Sequence, residues 1–222
     1  MALRVYKTQI KREVAMSQKA IKNEGQGTIF NNNVLELMTK APAYVSATIY
    51  ICIAVGLLYM GYANEIAPSL AIAVAVFLSA MFFWTLFEYF FHRYINHIDE
   101  YFPEFKIAHT IAHTIHGIHH EYPRDKERLM MPPIPGLIIV GLLYLAFSMV
   151  LGQWVYLFMP GFMTGYLLYA SVHIAVHKRK VPKVLKTQYR HHALHHYKYP
   201  DKAFGVSTTF WDRVFGTMPP EK

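Results

Sequence analysis

The sequence predicts an all-α integral membrane protein: four transmembrane helices with a histidine-rich helical cap on the cytoplasmic side. Three observations carry that prediction. Hydrophobic residues make up 54% of the 222 positions and charged ones only 16%, with a positive mean hydropathy, too apolar for an ordinary soluble domain. Four apolar runs, about 43–63, 66–91, 134–151 and 154–172, approach the ~20 residues that a spanning helix needs. Ten of the thirteen histidines fall in four tight clusters, each at the edge of such a run.

Taken in order, residues 1–42 are read as a cytoplasmic N-terminal segment. They are polar and basic and lack the apolar core of a secretory signal. Val5, Ile10, Val14 and Ile21 among lysines fit either an interfacial amphipathic helix or a polar tail. The remainder, 43–222, forms one domain. Its first two apolar runs make a pair, and the second ends in EYFFHRYINH, which holds His92 and His97. These two are five residues apart, roughly 140° around an ideal helix. Either the helix ends between them, near Asn96, or they serve different metals.

The segment 92–133 carries HGIHHEYPRDKERLMMPP and with it His116, His119 and His120. The third and fourth runs are separated only by Gly152-Gln153, so a full crossing and a partly inserted hairpin both fit. His173 and His177 close the fourth run. His192, His195 and His196 follow in HHALHHYKYPDKAFGVSTTFWDRVFGT. Helical residues three and four apart share a face, so each histidine trio is expected to aim at one point, and His173 with His177 likewise.

Neutral imidazole is a common ligand for iron and zinc, and no fold needs ten of them for packing, so the clusters point to a metal centre. Lone Cys52 lies in an apolar run and supplies neither a disulfide nor a thiolate site. The charge pattern sets the orientation. Residues 1–42, 92–133 and 173–222 hold seven, five and ten Lys/Arg, all twenty-two, and the positive-inside rule places both termini and every histidine cluster in the cytoplasm. The net charge of +8 suits anionic lipid heads or an acidic electron donor, with Lys178, Arg179, Lys180, Lys183 and Lys186 as the basic run. No nucleic-acid module is visible.

Together the four histidine strings, in this order and with HGxHHxxPxDxxRLxxPP and FGVSxxFWDxxFGT attached, resemble the fatty acid hydroxylase superfamily, and within it the fatty acid 2-hydroxylases. The resemblance runs from about Phe30, in the lead-in FNNNVLELMTK, to Met218. It implies a membrane dimetal oxygenase that hydroxylates carbon 2 of a long-chain acyl group, as free acid or as ceramide, with O2 as co-substrate. It implies His92, His97, His116, His119, His120, His173, His177, His192, His195 and His196 as ligands, the same set that the clusters select. Two iron ions are the expected cofactor, because dioxygen activation needs a redox metal; zinc suits the same nitrogen donors in a purified protein. The alternative is another histidine-box oxidase, a carotenoid or sterol hydroxylase or a desaturase. Family members commonly carry a fused cytochrome b5 domain. The polar lead-in here is too short for one, so electrons are expected from a separate donor such as cytochrome b5 or a ferredoxin with its reductase.

Several other residues are expected near the site. Glu88, in an apolar stretch, either pairs with Arg93 or donates into the centre. His113, and with it His109, lies on the stripe of His116 and His120; both, like His191, are read as solvent-facing or supporting residues outside the ligand set. Asp125 and Arg128 form a structural clamp onto the Pro132-Pro133 turn or else contact a head group. Trp211, Asp212 and Arg213 either orient the last histidine cluster or anchor an aromatic belt. Tyr122 and Tyr197 are the aromatic candidates for the rim. The family pattern places an acid at position 170, where this chain has Ala170.

Overall fold

The computed structural model describes residues 21–220, all of whose regular elements are helical. The amphipathic expectation for Val5, Ile10 and Val14 lies outside the described residues. Ten α-helices are described: α1 (Asn33–Met38), α2 (Ala43–Ala63), α3 (Leu70–Phe90), α4 (Ile98–Tyr101), α5 (Lys106–Ala112), α6 (Ile118–Glu121), α7 (Pro133–Leu151), α8 (Val155–Val176), α9 (Lys186–Tyr197) and α10 (Phe210–Val214).

The four long helices occupy the four apolar runs. The second starts at Leu70 rather than 66, because Glu65 sits at φ 51° in the preceding turn and Ser69 caps the helix, its Oγ accepting from the Ile72 N–H at 3.3 Å. Pro133, the first residue of α7, costs no hydrogen bond there. The break expected at Gly152-Gln153 is a short 3-10 turn, Gly152–Trp154, entered through Gly152 at φ 55°.

Helix α8 is the centre of the bundle. A Cβ at Gly161 would strike the Phe77 carbonyl and one at Gly165 would lie 2.5 Å from the Trp84 Cβ, so these two glycines let α3 approach along its length. The pairs Phe77 with Gly161 and Trp84 with Tyr169 make α3 parallel to α8. Tyr50 meets Tyr166 at 5.6 Å and Gly61 meets Leu157, so α2 is antiparallel to it. Phe147 packs on Phe158 at 5.1 Å while the Met131 N–H donates to the Tyr166 hydroxyl at 2.9 Å, which makes α7 antiparallel as well. The bundle therefore runs up, down, up, down, and its ends near residues 43, 91, 133 and 176 gather at one pole.

Three stretches are long and apolar enough to cross a membrane: Ala43–Ala63, Leu70–Asn96, and Pro133–Val176, which contains α7, the turn and α8. Their outward side chains, among them Val55, Tyr59, Leu78, Phe82, Leu142 and Met149, are exposed, as lipid-facing residues are. These stretches make the chain a multi-pass membrane protein. The remaining short helices and loops form a cap at the pole where the helix ends meet. Residues 22–41 lie against this cap, with the Lys22 N–H donating to the Glu121 carbonyl at 2.7 Å and the Ala41 N–H to the Glu127 carbonyl at 3.0 Å.

Candidate metal centre

The ten clustered histidines converge, but in two groups rather than as four clusters. His92, His97, His116, His120 and His195 form one, and His119, His173, His177, His192 and His196 the other; within each, the facing ring nitrogens lie within 4.8 Å of one another. The partition follows helix geometry. Residues four apart differ by about 40° and stay together, as in His116/His120, His173/His177 and His192/His196. The third member of each trio points about 100° away from its immediate neighbour, so His119 joins the second group and His195 the first. The expectation that each trio aims at one point is corrected accordingly.

His92 and His97 also stay together, though five residues apart. Helix α3, extended through Asn96, ends between them as expected, with His97 as its C-cap, and both rings still face one centre. It widens into a π-helical segment, Phe91–Asn96, whose i to i+5 winding lays each residue over the fifth before it. A second π segment, His113–Gly117, shifts the register before His116. His113 consequently leaves the stripe; it is exposed and covers Gly117. His109 is exposed too, with its Nε2 at 2.8 Å from the Pro103 carbonyl and its Nδ1 at 3.4 Å from Asp99.

Every facing atom is an Nε2. In the first group His92–His116, His116–His120, His120–His195 and His97–His195 are separated by 3.0, 2.9, 3.1 and 3.3 Å. In the second, His119–His173, His173–His177, His177–His192 and His192–His196 are separated by 3.0, 3.2, 2.9 and 3.0 Å. With a metal–nitrogen bond of about 2.1 Å, ligands at angles of roughly 90–105° stand at such distances. The donor sets therefore fit one ion each. Neutral nitrogen donors without carboxylate or thiolate suit iron or zinc rather than calcium or magnesium.

The surroundings keep seven of these rings neutral. Burial, and then the neighbouring imidazoles, hold His116, His119, His120, His192, His195 and His196 well below the usual histidine range, and His177 likewise. Carbonyls select the tautomer. His92 Nδ1 donates to the Phe204 carbonyl at 2.6 Å, His195 Nδ1 to that of Lys202 at 2.8 Å and His173 Nδ1 to that of Leu129 at 3.0 Å. A carbonyl can only accept, so Nδ1 carries the proton and the Nε2 lone pair faces inward.

Two buried carboxylates hold the loop that supplies two of those carbonyls. Glu88 Oε1 accepts from the backbone N–H groups of Val206 (2.7 Å) and Ser207 (2.9 Å), and its other oxygen accepts from the Ser207 hydroxyl. The expected pairing of Glu88 with Arg93 does not form. Arg93 instead donates to the hydroxyls of Tyr89 (2.9 Å) and Tyr101 (3.2 Å) and lies over the Phe204 ring. Asp212, fully buried, accepts from the N–H groups of Phe204 (2.9 Å) and Gly205 (2.8 Å), from the Thr217 hydroxyl (2.7 Å) and from His191 Nε2 (2.9 Å). Of the two readings of residues 211–213, orienting the last cluster is the one that Asp212 fits. His191 is not solvent-facing: it is 4% exposed, and its bond to Asp212 ties α9 to α10.

Asp125 and Arg128 do form a clamp, but onto a different partner. Arg128 donates to Asp125 at 3.0 Å, to Glu36 and to the Thr39 hydroxyl at 3.2 Å, while Asp125 accepts from the Gly27 N–H at 3.3 Å. The clamp thus holds the lead-in segment and α1 rather than the Pro132-Pro133 turn, which is tied by the Tyr50 hydroxyl donating to the Met131 and Pro132 carbonyls at 3.1 and 3.2 Å. Tyr197 lies on the rim of a cavity beside the second group. Tyr122 packs elsewhere, against Gly27, and accepts from Lys22 at 2.8 Å. Ala170 is buried in the apolar core, so the expected acid has no counterpart there. The carbonyls of Leu129, Lys202 and Phe204 escaped the sequence reading, because a backbone acceptor has no residue signature.

The family model described as fatty acid hydroxylase matches residues 77–217. The ceramide very long chain fatty acid hydroxylase of Schizosaccharomyces pombe is 37% identical over 220 residues, 95% of this chain and 61% of that protein. The corresponding hydroxylase of Saccharomyces cerevisiae is 36% identical over 87% of this chain and 50% of its own length, and human fatty acid 2-hydroxylase 33% identical over 66% and 40%. This chain therefore spans from two fifths to three fifths of these relatives. A solved structure described as full-length scs7p, with only the hydroxylase domain visible, superposes with a TM-score of 0.80 at 33% identity, over 89% of this chain and 74% of that one.

Proposed function

The chain belongs to the fatty acid hydroxylase family, and we propose that it hydroxylates carbon 2 of a long-chain fatty acyl group. The observation that carries this is the pair of five-imidazole groups, with inward Nε2 atoms and no other donor type, side by side at one pole of an apolar bundle. The reaction consumes one O2, two electrons and two protons. One C–H bond at carbon 2 is replaced by C–OH, and the second oxygen atom leaves as water. Two irons, when bound, supply the dioxygen chemistry, which no side chain here can perform.

The residues of the chain do the rest. The ten histidines act as ligands, five to each ion. Lys202 and Phe204 orient first-group rings through their carbonyls, and Glu88 and Asp212 hold that loop in place. The acyl tail lies among the apolar helices while its head stays at the metal pole, so carbon 2, next to the head, is the methylene presented to the centre. All four long helices cross the membrane, and both termini and the metal pole face the cytoplasm, where a separate donor such as cytochrome b5 or a ferredoxin delivers electrons. Residues 1–42 are the cytoplasmic lead-in to the hydroxylase domain 43–222.

The test is lipid analysis of cells with and without the chain. Acyl groups that gain one oxygen, located at carbon 2 by fragmentation, are the expected result. Oxidation elsewhere on the chain, or on a carotenoid or sterol only, refutes the reading.

A further inference from the structure

The stretch of chain that joins His97 to His116 has an exposed apolar side that the metal centre does not use. Tyr101, Phe102, Phe105, Ile107, Ile111 and Ile115 are all exposed, Phe102 by 50%, Phe105 by 53% and Ile107 by 68%. Single exposed apolar residues are ordinary, but six so close together form a patch. On helix α5, where successive residues turn by about 100°, the side chains divide into three sectors. Ala108 and Ala112 are buried. Lys106, His109, Thr110 and His113 make an exposed polar sector, with His109 Nε2 at 2.8 Å from the Pro103 carbonyl. Ile107 and Ile111, four apart, fall between Thr110 and the buried alanines, and Ile115 is exposed one turn later. A helix whose whole free side met water would be polar all along that side. This one is polar on half of it and apolar on the other half.

The patch continues the lipid-facing surface of α3. Phe90, itself exposed, stacks on Tyr94 at 5.9 Å, and Tyr94 meets Tyr101 at 5.0 Å, so exposed rings run from the end of the apolar stretch Leu70–Asn96 into the cap. Phe102 and Phe105 follow, with ring centroids 6.2 Å apart, and α5 packs against the same π-helical end, Phe91–Asn96. We propose that residues 101–115 are embedded in the membrane interface on the side of the metal pole. Ile107, Ile111 and the aromatic residues reach about 5–10 Å into the headgroup and acyl boundary, and the polar sector of α5 faces water. The partner is the lipid layer itself, and its recognition is apolar. Residues 98–115 carry Asp99, Glu100 and Glu104 against Lys106 as their one Lys or Arg, so anionic heads do not attract the segment and zwitterionic lipid is enough. The basic run at 178–186 has the opposite character.

The test uses the full chain reconstituted in phosphatidylcholine vesicles. Its single native cysteine is removed by Cys52→Ala, and a nitroxide is attached after Ile107→Cys, Ile111→Cys or Thr110→Cys, one at a time. Collisions of each nitroxide with membrane-soluble O2 and with a water-soluble nickel chelate are read from the saturation of its paramagnetic resonance. The labels at 107 and 111 should favour O2 over nickel severalfold more than the label at 110, and adding phosphatidylserine should leave that contrast unchanged. Equal nickel access at all three positions overturns the proposal, and a contrast that needs phosphatidylserine overturns the apolar recognition. Spin–spin broadening at 107 and 111 that vanishes on dilution with unlabelled chain assigns the patch to a second copy instead, which also overturns it. Since a label can disturb a helix, the unsubstituted chain is probed as well, with phosphatidylcholine that carries a diazirine high on its acyl chain. Carbene adducts within residues 101–115, located by mass spectrometry, are the expected result, and their absence there overturns the proposal.

Discussion

The two histidine groups have the same composition and different support. Three rings of the first have Nδ1 partners: His92 and His195 through the Phe204 and Lys202 carbonyls, and His97 with Glu100 at 3.4 Å. The loop that carries those carbonyls is pinned from both sides by Glu88 and Asp212. In the second group only His173 has such a partner, the Leu129 carbonyl, while the buried Nδ1 atoms of His119, His192 and His196 find none among the described residues. The second group also borders the cavity. Ligands alike in number and type are thus held rigidly on one side and loosely on the open side. Since outer contacts fix ring orientation and basicity, the first group should hold its metal more tightly, and the second should be the adaptable one.

The largest effect separates the groups outright. His120→Ala and His196→Ala each remove one ligand, from the first and the second group respectively. Either should lower hydroxylation by more than about a hundredfold, beyond the 10–100-fold typical of outer-contact changes. Full activity in either variant would contradict the dimetal reading. The same variants isolate the groups for metal release. Under a chelator series, His120→Ala, which keeps the second group whole, should lose its remaining metal at lower chelator concentration than His196→Ala.

The next effect sharpens that order. Asp212→Asn, placed on the His196→Ala background, should weaken the first group's metal affinity by roughly 10–100-fold, because the Phe204 carbonyl loses its fixed position. The same change on the His120→Ala background should leave the chelator midpoint in place. A shift on both backgrounds would mean that Asp212 acts on the whole cap rather than on one group.

Smaller again is the contrast between two histidines outside both groups. His191→Ala leaves the fully buried Asp212 carboxylate short of one donor and should cost about 1–3 kcal/mol. His109→Ala, at an exposed position, should stay within about 0.5 kcal/mol. Thermal unfolding of the two variants measures the difference, and equal midpoints would mean that the His191–Asp212 bond contributes nothing.

The smallest effect is pH-dependent and falls on the second group's one support. Arg128, clamped to Glu36 and Asp125, adjoins Leu129, whose carbonyl holds His173. Burial pushes the Glu36 carboxyl up, but the Phe30 and Ile29 N–H groups and the Arg128 guanidinium outweigh it and leave it below the ordinary 4.5. A depressed carboxyl stabilises the folded state fully above its unfolded value, and that contribution fades as pH falls through the folded value. Stability should therefore lose the Glu36 contribution only below about pH 4.5. Glu36→Gln should lower stability by on the order of 1–2 kcal/mol at neutral pH and flatten that acid limb. An unchanged acid limb in this variant would remove Glu36 as its source.

Much of this was legible in the chain. Hydropathy is additive along a sequence, so the four apolar helices appear where the runs are, with Ser69 and Gly152 setting the detail. Histidines concentrated at run edges likewise select the ten converging rings, because metal sites demand a residue type that packing does not. What the chain alone left open was everything that depends on rotation and on distant partners. An ideal α-helix separates His92 from His97, and two π segments, each a local change of winding, rejoin them and expel His113. Glu88 finds its partners 118 and 119 residues away, and His191 finds Asp212 across a turn. Composition and spacing thus determined which residues gather at the pole. The tertiary structure decided which nitrogen faces which centre, because a ring's direction is set by helix winding and by backbone carbonyls contributed from elsewhere in the chain.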